Sequence, residues 1–136
     1  MAKTAPVWVI DTNVVVSAAL SAGGNCDKIL RAAVVGKIRL AWSASILAEY
    51  RRLLLRPKFG FSLHVVASML TVFSPSDLVV PLSAPSLPDP DDEVFLAAAL
   101  ITTDRILVTG NAAHFPTDLC APVKILSPAE AIQLIG

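Results

Sequence analysis

Short apolar runs alternate with amphipathic stretches along most of this chain, and this alternation is the strongest constraint on its fold. Residues 6–11 (PVWVID) are apolar and rich in β-branched side chains up to a terminal acid, as expected of a buried parallel strand. Such strands need crossover connections, which helical stretches provide. The predicted strands are 6–11, 38–41, 78–80, 105–109 and 124–126, and the predicted helices are 26–35, 44–55, 62–73, 91–101 and a terminal helix opened by Ser127 and Pro128. The sequence therefore predicts an α/β fold with a central parallel sheet covered on both faces.

The size and composition of the chain predict one domain, residues 1–136, that needs no disulfide or structural metal. Apolar residues make up 54 % of the chain and charged residues 16 %, so we expect either an unusually full core or an apolar surface that binds a partner. Cys26 and Cys120 form no metal-binding or redox spacing, which suits the reducing cytoplasm. No apolar stretch approaches the roughly 20 residues that span a bilayer, so we expect no membrane insertion.

The charges are unevenly distributed although the net charge is zero. Residues 28–58 hold eight basic residues and one acid, whereas residues 59–136 hold two basic residues and eight acids. A basic block beside an acidic block suits a phosphate-backbone substrate held next to a cation. Ordinary solvated helix faces would give the same counts, so the charges alone leave both interpretations open.

Asp11 is the first candidate site residue because it ends the first predicted strand. In an open parallel sheet, ligands bind outside the carboxyl ends of the strands. Asp11 would lie at that edge, followed by Thr12 and Asn13. An aspartate in this position would equally well cap a following helix.

Glu49 borders the apolar arc of the helix predicted at 44–55. At about 100° per residue it falls beside Ile46 and Leu53, while Arg52 points further towards solvent. A carboxylate at the border of a buried stripe needs a partner, because burying it unpaired is costly. A metal ion and a surface ion pair are the two alternatives.

Four acids fall within residues 89–93, at the start of the helix predicted at 91–101. Asp89 suits the N-cap, Pro90 suits the first helical position, and acids complement the positive end of the helix dipole. Four acids nevertheless exceed what capping requires, and they repel each other without a counter-charge. A divalent cation is their natural partner.

No nucleophile accompanies these three carboxylate sites. The sequence contains no Gly-x-Ser-x-Gly elbow and no Gly-rich phosphate loop, and neither cysteine is paired with a nearby histidine. Oxygen ligands without soft ones favour Mg²⁺ or Mn²⁺ over zinc. Such clusters hold one or two cations, which activate a water and stabilise the oxygens of a phosphodiester displacement.

Four segments, taken in order, resemble the PIN-domain family, and in particular its branch of toxins from toxin–antitoxin pairs. They are Val9–Ala18 (VIDTNVVVSA), Ser43–Glu49 (SASILAE), Asp89–Asp92 with Phe95–Ala97 (DPDD and FLA), and Leu107–Asn111 with His114–Pro116 (LVTGN and HFP). Each segment alone is weak evidence, but four in the family's order and near its spacing are specific.

The resemblance implies a three-layer α/β/α sandwich and metal-dependent cleavage of single-stranded RNA with Mg²⁺ or Mn²⁺. It implies that Asp11, Glu49 and Asp92 bind the metal, with Asn13 and Asp91 in support. Asp92 is preferred to Asp91 because it lies three residues before Phe95, where the family's helix acid falls. As a toxin, the protein would pair with a small antitoxin, and PIN domains commonly form homodimers.

A second set of residues is expected to contact the RNA backbone. These side chains are Arg51, Arg52, Arg56, Lys58 and His114. The four basic side chains would contribute salt-dependent affinity without sequence specificity. His114 would contact phosphate or donate a proton to the leaving group, although a histidine that simply packs in its loop is the ordinary alternative.

Asn111 departs from the family pattern, because many PIN nucleases place an aspartate after this Thr-Gly pair. An amide oxygen still ligates a cation or holds its water, so we read Asn111 as weakening the site rather than abolishing catalysis. Two alternatives follow: a PIN fold acting as an RNA-binding or protein-interaction module, and an aspartyl-phosphate phosphatase or receiver with Asp11 as nucleophile. The second usually needs an acid two residues after the nucleophile, where this chain has Asn13.

Overall fold

A central four-stranded parallel sheet organises the computed structural model, which describes residues 5–135. The strands are β1 (Val7–Ile10), β2 (Arg39–Leu40), β3 (Ile106–Val108) and β4 (Lys124–Leu126), in the spatial order β2-β1-β3-β4. All three pairings are parallel. The predicted α/β fold with a parallel sheet is confirmed.

Helices connect the strands and cover the sheet. Within residues 5–135 they are α1 (Thr12–Leu20), α2 (Asn25–Val34), α3 (Ala44–Leu54), α4 (Leu63–Met69), α5 (Glu93–Leu100), α6 (Thr117–Cys120) and α7 (Pro128–Ile135). Ser43 caps α3 and Ser62 caps α4, each accepting a hydrogen bond from the backbone three residues on. None of the helices in the described part of the chain is long and apolar enough to cross a membrane.

Both faces of the sheet are buried. Trp8, Val9 and Ile10 of β1 are each at most 1 % exposed, and successive side chains of a strand point to opposite faces. Helix α5 packs against β1 and β3, while α7 packs against β4 and α2. This burial on both faces fits the sandwich that the family resemblance implied.

The predicted strand Leu78–Val80 is wrong in extent. This segment makes a single parallel bridge, between Leu78 and Trp42, and the Val79 amide donates to the Trp42 carbonyl at 2.8 Å. Strand β2 beside it is two residues long, so it offers little backbone to pair with. Val80 is 82 % exposed, and Pro81 follows. The apolar composition that suggested a strand instead lies on the surface.

Two predicted helices begin or end in 3₁₀ turns. The helix predicted at 62–73 is α4 followed by a 3₁₀ turn at Leu70–Val72, and the one predicted at 91–101 is a 3₁₀ turn at Pro90–Asp92 followed by α5. The turn at Pro90–Asp92 sets the direction in which Asp92 enters the site.

The strand order creates a switch point between β1 and β3. The chain places β2 on one side of β1 and then crosses to build β3 on the other, so the connections leave the carboxyl ends of β1 and β3 in opposite directions. Ile10 and Val108 pair across these two strands. The residues that follow them, Asp11 and Thr109, therefore meet where an open α/β sheet binds ligands.

Candidate metal centre at the carboxyl edge of the sheet

Asp11 lies at the switch point and also caps helix α1. Its Oδ1 accepts a 2.7 Å hydrogen bond from the Thr12 amide, and its own amide donates to the Val108 carbonyl at 2.8 Å. The side chain is 6 % exposed. Capping and placement at the ligand-binding edge, which the sequence left as alternatives, therefore coincide in one residue.

Thr109 and Asn13 hold the second oxygen of Asp11. The Thr109 hydroxyl donates to Asp11 Oδ2 at 2.8 Å, and Asn13 Nδ2 donates to the same oxygen at 3.2 Å. Asn13 Oδ1 accepts from the Gly110 amide at 3.0 Å, while the Asn111 amide donates to the Thr109 hydroxyl at 3.0 Å. The Asn13 side chain thus contacts Asp11, and hydrogen bonds connect the loops after β1 and β3.

Thr109 is a site residue that the sequence reasoning missed. It is 1 % exposed and lies 98 positions from the carboxylate it contacts. The available signal was a hydroxyl directly after the buried Ile106–Val108 strand, at the edge where Asp11 was expected.

Asp92 enters the site from the start of α5 and contacts His114. Its side chain is 11 % exposed, and its Oδ2 lies 2.8 Å from His114 Nδ1, whose side chain is 44 % exposed. His114 ends the 3₁₀ turn at Ala112–His114, just after the β3 loop. The histidine assigned to phosphate or proton transfer is therefore directly beside a predicted metal-binding acid.

Burial raises the pKa of both central carboxyls. Loss of solvent raises the pKa of Asp11 most, against the lowering effects of the hydrogen bonds from Thr109 and Thr12, and the charge of Glu49 raises it further. Loss of solvent also raises the pKa of Asp92, followed by the charge of Asp11, while His114 acts in the opposite direction. Asp11 and Asp92 thus stand close enough to repel each other when both are ionised.

Glu49 faces the same region but is engaged by a neighbour. Its Oε2 accepts from Arg52 Nη2 at 2.9 Å, and its side chain is 23 % exposed. The surface ion pair that the sequence left open describes the contact of Glu49 in this structure. The charge of Asp91, which is itself exposed, also raises the pKa of Arg52, so Asp91 and Arg52 lie near each other at the rim.

Three side chains bring their ligand atoms together most closely. Within residues 5–135, Asp89, Asp92 and His114 have ligand atoms that all lie within 4.8 Å of one another, and neither Asp11 nor Glu49 belongs to this group. Asp89 also caps the Pro90–Asp92 turn, accepting from the Asp91 amide at 3.0 Å. From the sequence, Asp89 was expected to be the N-cap and was one of the four acids for which a divalent cation is the natural partner. Buried carboxylates that repel each other, next to a third acid and an imidazole, are a donor set suited to a divalent cation.

Comparison with known families gives one match. The family profile described as PIN domain matches residues 7–113, which is most of the chain. The chain belongs to the PIN-domain family. Comparison with curated proteins and with solved structures gives no match.

Membership gives the site a chemical class. PIN domains are generally nucleases of the hydrolase type, and they typically use divalent metals. The acidic group at Asp89 and Asp92 agrees with that use of metals.

The remaining predicted residues of this PIN domain lie at different distances from the centre. Asn111 is exposed, and its backbone, through Thr109, supports Asp11. Asp104, the acid nearest in sequence before β3, accepts from the Val7 amide at 2.7 Å, at the opposite end of β1 from Asp11. Among the predicted RNA-binding cations, Arg52 is placed at the rim by its contact with Glu49. Arg51, Arg56 and Lys58 are exposed along and beyond the end of α3.

Proposed function

We propose that this PIN domain is a Mg²⁺- or Mn²⁺-dependent endoribonuclease that cleaves single-stranded RNA. The observation that carries the proposal is the pair of buried carboxylates, Asp11 and Asp92: burial raises the pKa of each, and the charge of Asp11 raises that of Asp92 further. Holding two such acids together is unfavourable unless a cation joins them. The choice of RNA as substrate rests on the family resemblance.

The residues that would hold the cation are Asp11, Glu49 and Asp92, with Asn111 as a neutral oxygen donor. When bound, the metal supplies an activated water and neutralises charge on the phosphate. Thr109 and Asn13 hold Asp11 in one orientation through hydrogen bonds to Oδ2. Arg52 sits at the rim and would meet the phosphate backbone, with Arg51, Arg56 and Lys58 extending the basic surface.

We further propose that the protein is a cytoplasmic toxin that pairs with a small antitoxin and forms a homodimer. Several large apolar side chains are well exposed and would be covered by such partners: Val34, Leu63, Val80 and Leu82, at 72 %, 74 %, 82 % and 96 % exposure. The cysteines are free, as the reducing cytoplasm requires.

A catalytically weak PIN fold that binds RNA or protein is the second candidate. The ion pair between Glu49 and Arg52 favours it, because it satisfies one of the three predicted metal ligands with a side chain. Asn111, which stands where many PIN nucleases have an aspartate, also favours a catalytically weak fold. For the aspartyl-phosphate alternative, Asn13 stands where a second acid is needed and donates to Asp11.

A cleavage assay separates these candidates. Purified protein is incubated with end-labelled single-stranded RNA in EDTA, Mg²⁺ or Mn²⁺, beside the variants Asp11→Asn and Asp92→Asn. Asp118→Asn, an exposed acid on α6, is the matched control. We expect metal-dependent cleavage that falls by about 100-fold or more in both site variants and stays unchanged in the control.

Two other outcomes are informative. Cleavage that persists in both site variants would point to a contaminating nuclease. Metal-independent RNA binding without cleavage in any metal would replace the nuclease proposal with the binding module. Induced expression of the wild type and of Asp92→Asn in growing cells then tests the toxin role, which predicts growth arrest with the wild type alone.

A further inference from the structure

An imidazole nitrogen lies beside the acids of the candidate metal centre, and the metal ligands that the family resemblance implies do not include it. His114 Nδ1 lies 2.8 Å from Asp92 Oδ2, and with Asp89 the three ligand atoms are within 4.8 Å of one another. The three residues come from two separate parts of the chain, the turn before α5 and the turn after β3. His114 thus reaches the acids from across the site rather than from their own helix.

The separation of Asp92 and His114 can be compared with that of two ligands around one ion. Adjacent ligand atoms about 2.1 Å from an octahedral cation lie about 3 Å apart, and opposite ones about 4.2 Å apart. The Asp92–His114 pair has the spacing of adjacent ligands, and no pair in the group is farther apart than 4.8 Å. A cation bound by these three side chains would take the place of the hydrogen bond between Asp92 and His114.

We infer that Asp89, Asp92 and His114 form a cation subsite that prefers a borderline transition-metal ion, such as Mn²⁺, to Mg²⁺. An imidazole nitrogen binds transition metals well, whereas Mg²⁺ keeps oxygen ligands and water. The inference rests on the proposed function, because it specifies which metal the same centre selects. The sequence predicted ligands with oxygen atoms only, whereas this subsite has two carboxylates and one imidazole nitrogen.

The placement of His114 supports a ligand role. Its side chain is 44 % exposed while that of Asp92 is 11 % exposed, so the imidazole lies between the buried acid and solvent. A cation entering from solvent meets the imidazole before it reaches Asp92. His64, the other histidine of the chain, is exposed on α4 and provides an internal comparison.

Metal binding is measured directly by electron paramagnetic resonance, in which free Mn²⁺ loses its signal as it binds. Mn²⁺ and Mg²⁺ affinities, the latter by competition, are compared for wild type, His114→Gln and Asp89→Asn, with His64→Gln and Asp118→Asn as matched controls. We expect His114→Gln to weaken Mn²⁺ binding by about tenfold or more and Mg²⁺ binding by less than about threefold. Asp89→Asn should weaken both ions, and the controls should stay within about twofold of wild type.

Wild-type protein gives a readout that needs no variant. In ¹⁵N spectra of the histidine rings, substoichiometric Mn²⁺ should broaden the His114 resonances and leave those of His64 sharp. Unbroadened His114 resonances, or Mn²⁺ affinity of His114→Gln within about twofold of wild type, would overturn the subsite.

RNA cleavage measured on the same samples keeps the two proposals apart. Histidine-dependent Mn²⁺ binding without cleavage would sustain the subsite and remove the nuclease function. Metal-dependent cleavage with Mn²⁺ affinity independent of His114 would sustain the nuclease and overturn the subsite.

Discussion

Two regions of the molecule bury acids to nearly the same extent and use them differently. Asp77, beside the edge strand β2, is 7 % exposed, and Asp11 and Asp92, at the switch point between β1 and β3, are 6 % and 8 % exposed. Asp77 lies against the Arg39 guanidinium, with Nη2 2.6 Å from its Oδ1. At the switch point, by contrast, burial and then the charge of Asp11 raise the pKa of Asp92. A buried aspartate therefore does not by itself indicate a metal site. A buried aspartate without an arginine or lysine partner is the better indication.

The largest expected effect is a change in stability when the edge pair is broken. Asp77→Asn removes the partner of Arg39, whose side chain is 41 % exposed, so the loss is less than for a fully buried pair. We expect the free energy of unfolding to fall by about 2 kcal/mol, with metal binding and cleavage unchanged. Urea unfolding in EDTA measures the free energy of unfolding, and the RNA assay measures cleavage.

Asp92→Asn is the counterpart at the switch point, and it should destabilise the protein less. Without metal it removes a charge that Asp11 repels, but it also replaces the carboxylate partner of His114 by an amide, so its free energy of unfolding should fall by less than that of Asp77→Asn. A loss of stability in EDTA as large as that of Asp77→Asn would mean that the two regions do not differ as described.

Thr109→Val tests whether the acid at the switch point must be held in place. The substitution removes the donor to Asp11 Oδ2 and leaves the Asn111 amide without its acceptor. We expect Mn²⁺ affinity and cleavage to fall by about tenfold, and the free energy of unfolding to fall by about 1 kcal/mol.

Thr102→Val is the matched control for this substitution. Thr102 is also buried, and its hydroxyl donates to the Ala99 carbonyl and accepts from the Arg105 amide. It should lose similar stability with no effect on metal or RNA. If both variants lost activity equally, the effect of Thr109→Val would be one of folding rather than positioning.

Much of the fold follows from sequence because the relevant signals are local. Runs of β-branched residues predicted the strands. Ser43 and Pro57 predicted where α3 begins and ends. The segment at Leu78–Val80 shows the limit, because an apolar run becomes a strand only where a neighbour offers backbone, and β2 offers two residues.

The sequence indicates candidate site residues but not the contacts between them. Asp11 and Asp92 were proposed from their positions at the ends of elements. The contacts that define their chemistry join Thr109 to Asp11 across 98 positions and His114 to Asp92 across 22. Glu49 shows the same limit, since the helical pattern placed it at a border without deciding between a metal and Arg52.

Asn111→Asp adds a negative charge at the switch point, the region whose two buried acids have, within residues 5–135, no arginine partner like that of Asp77. Asn111 follows Gly110 at the end of the β3 loop, and an acid there should draw the cation more strongly. We expect Mn²⁺ and Mg²⁺ affinity to rise by about threefold, with lower stability in EDTA. Asn25→Asp, at the exposed start of α2, is the control. Unchanged affinity would place Asn111 outside the reach of the ion.

The smallest effect expected is a pH dependence of metal-free stability, because hydrogen bonds to Asp11 partly offset the effect of its burial. Asp11 and Asp92 have pKa values raised above those of an unfolded chain, about 3.9. Above that value the folded state binds more protons than the unfolded state, so stability falls as pH rises through the raised pKa values.

The pH effect is isolated by subtracting the stability of an Asp11→Asn/Asp92→Asn double variant from that of wild type in EDTA. Asp27 and Glu130, whose pKa values are lowered, give the opposite slope in both proteins and cancel in the difference. The difference should become less favourable to wild type between about pH 4 and neutrality. Saturating Mn²⁺ should reverse this slope, because the cation binds the ionised carboxylates and competes with protons. A flat difference in EDTA would mean that the two acids at the switch point are as well satisfied as Asp77 is by Arg39, and the contrast between the two regions would be lost.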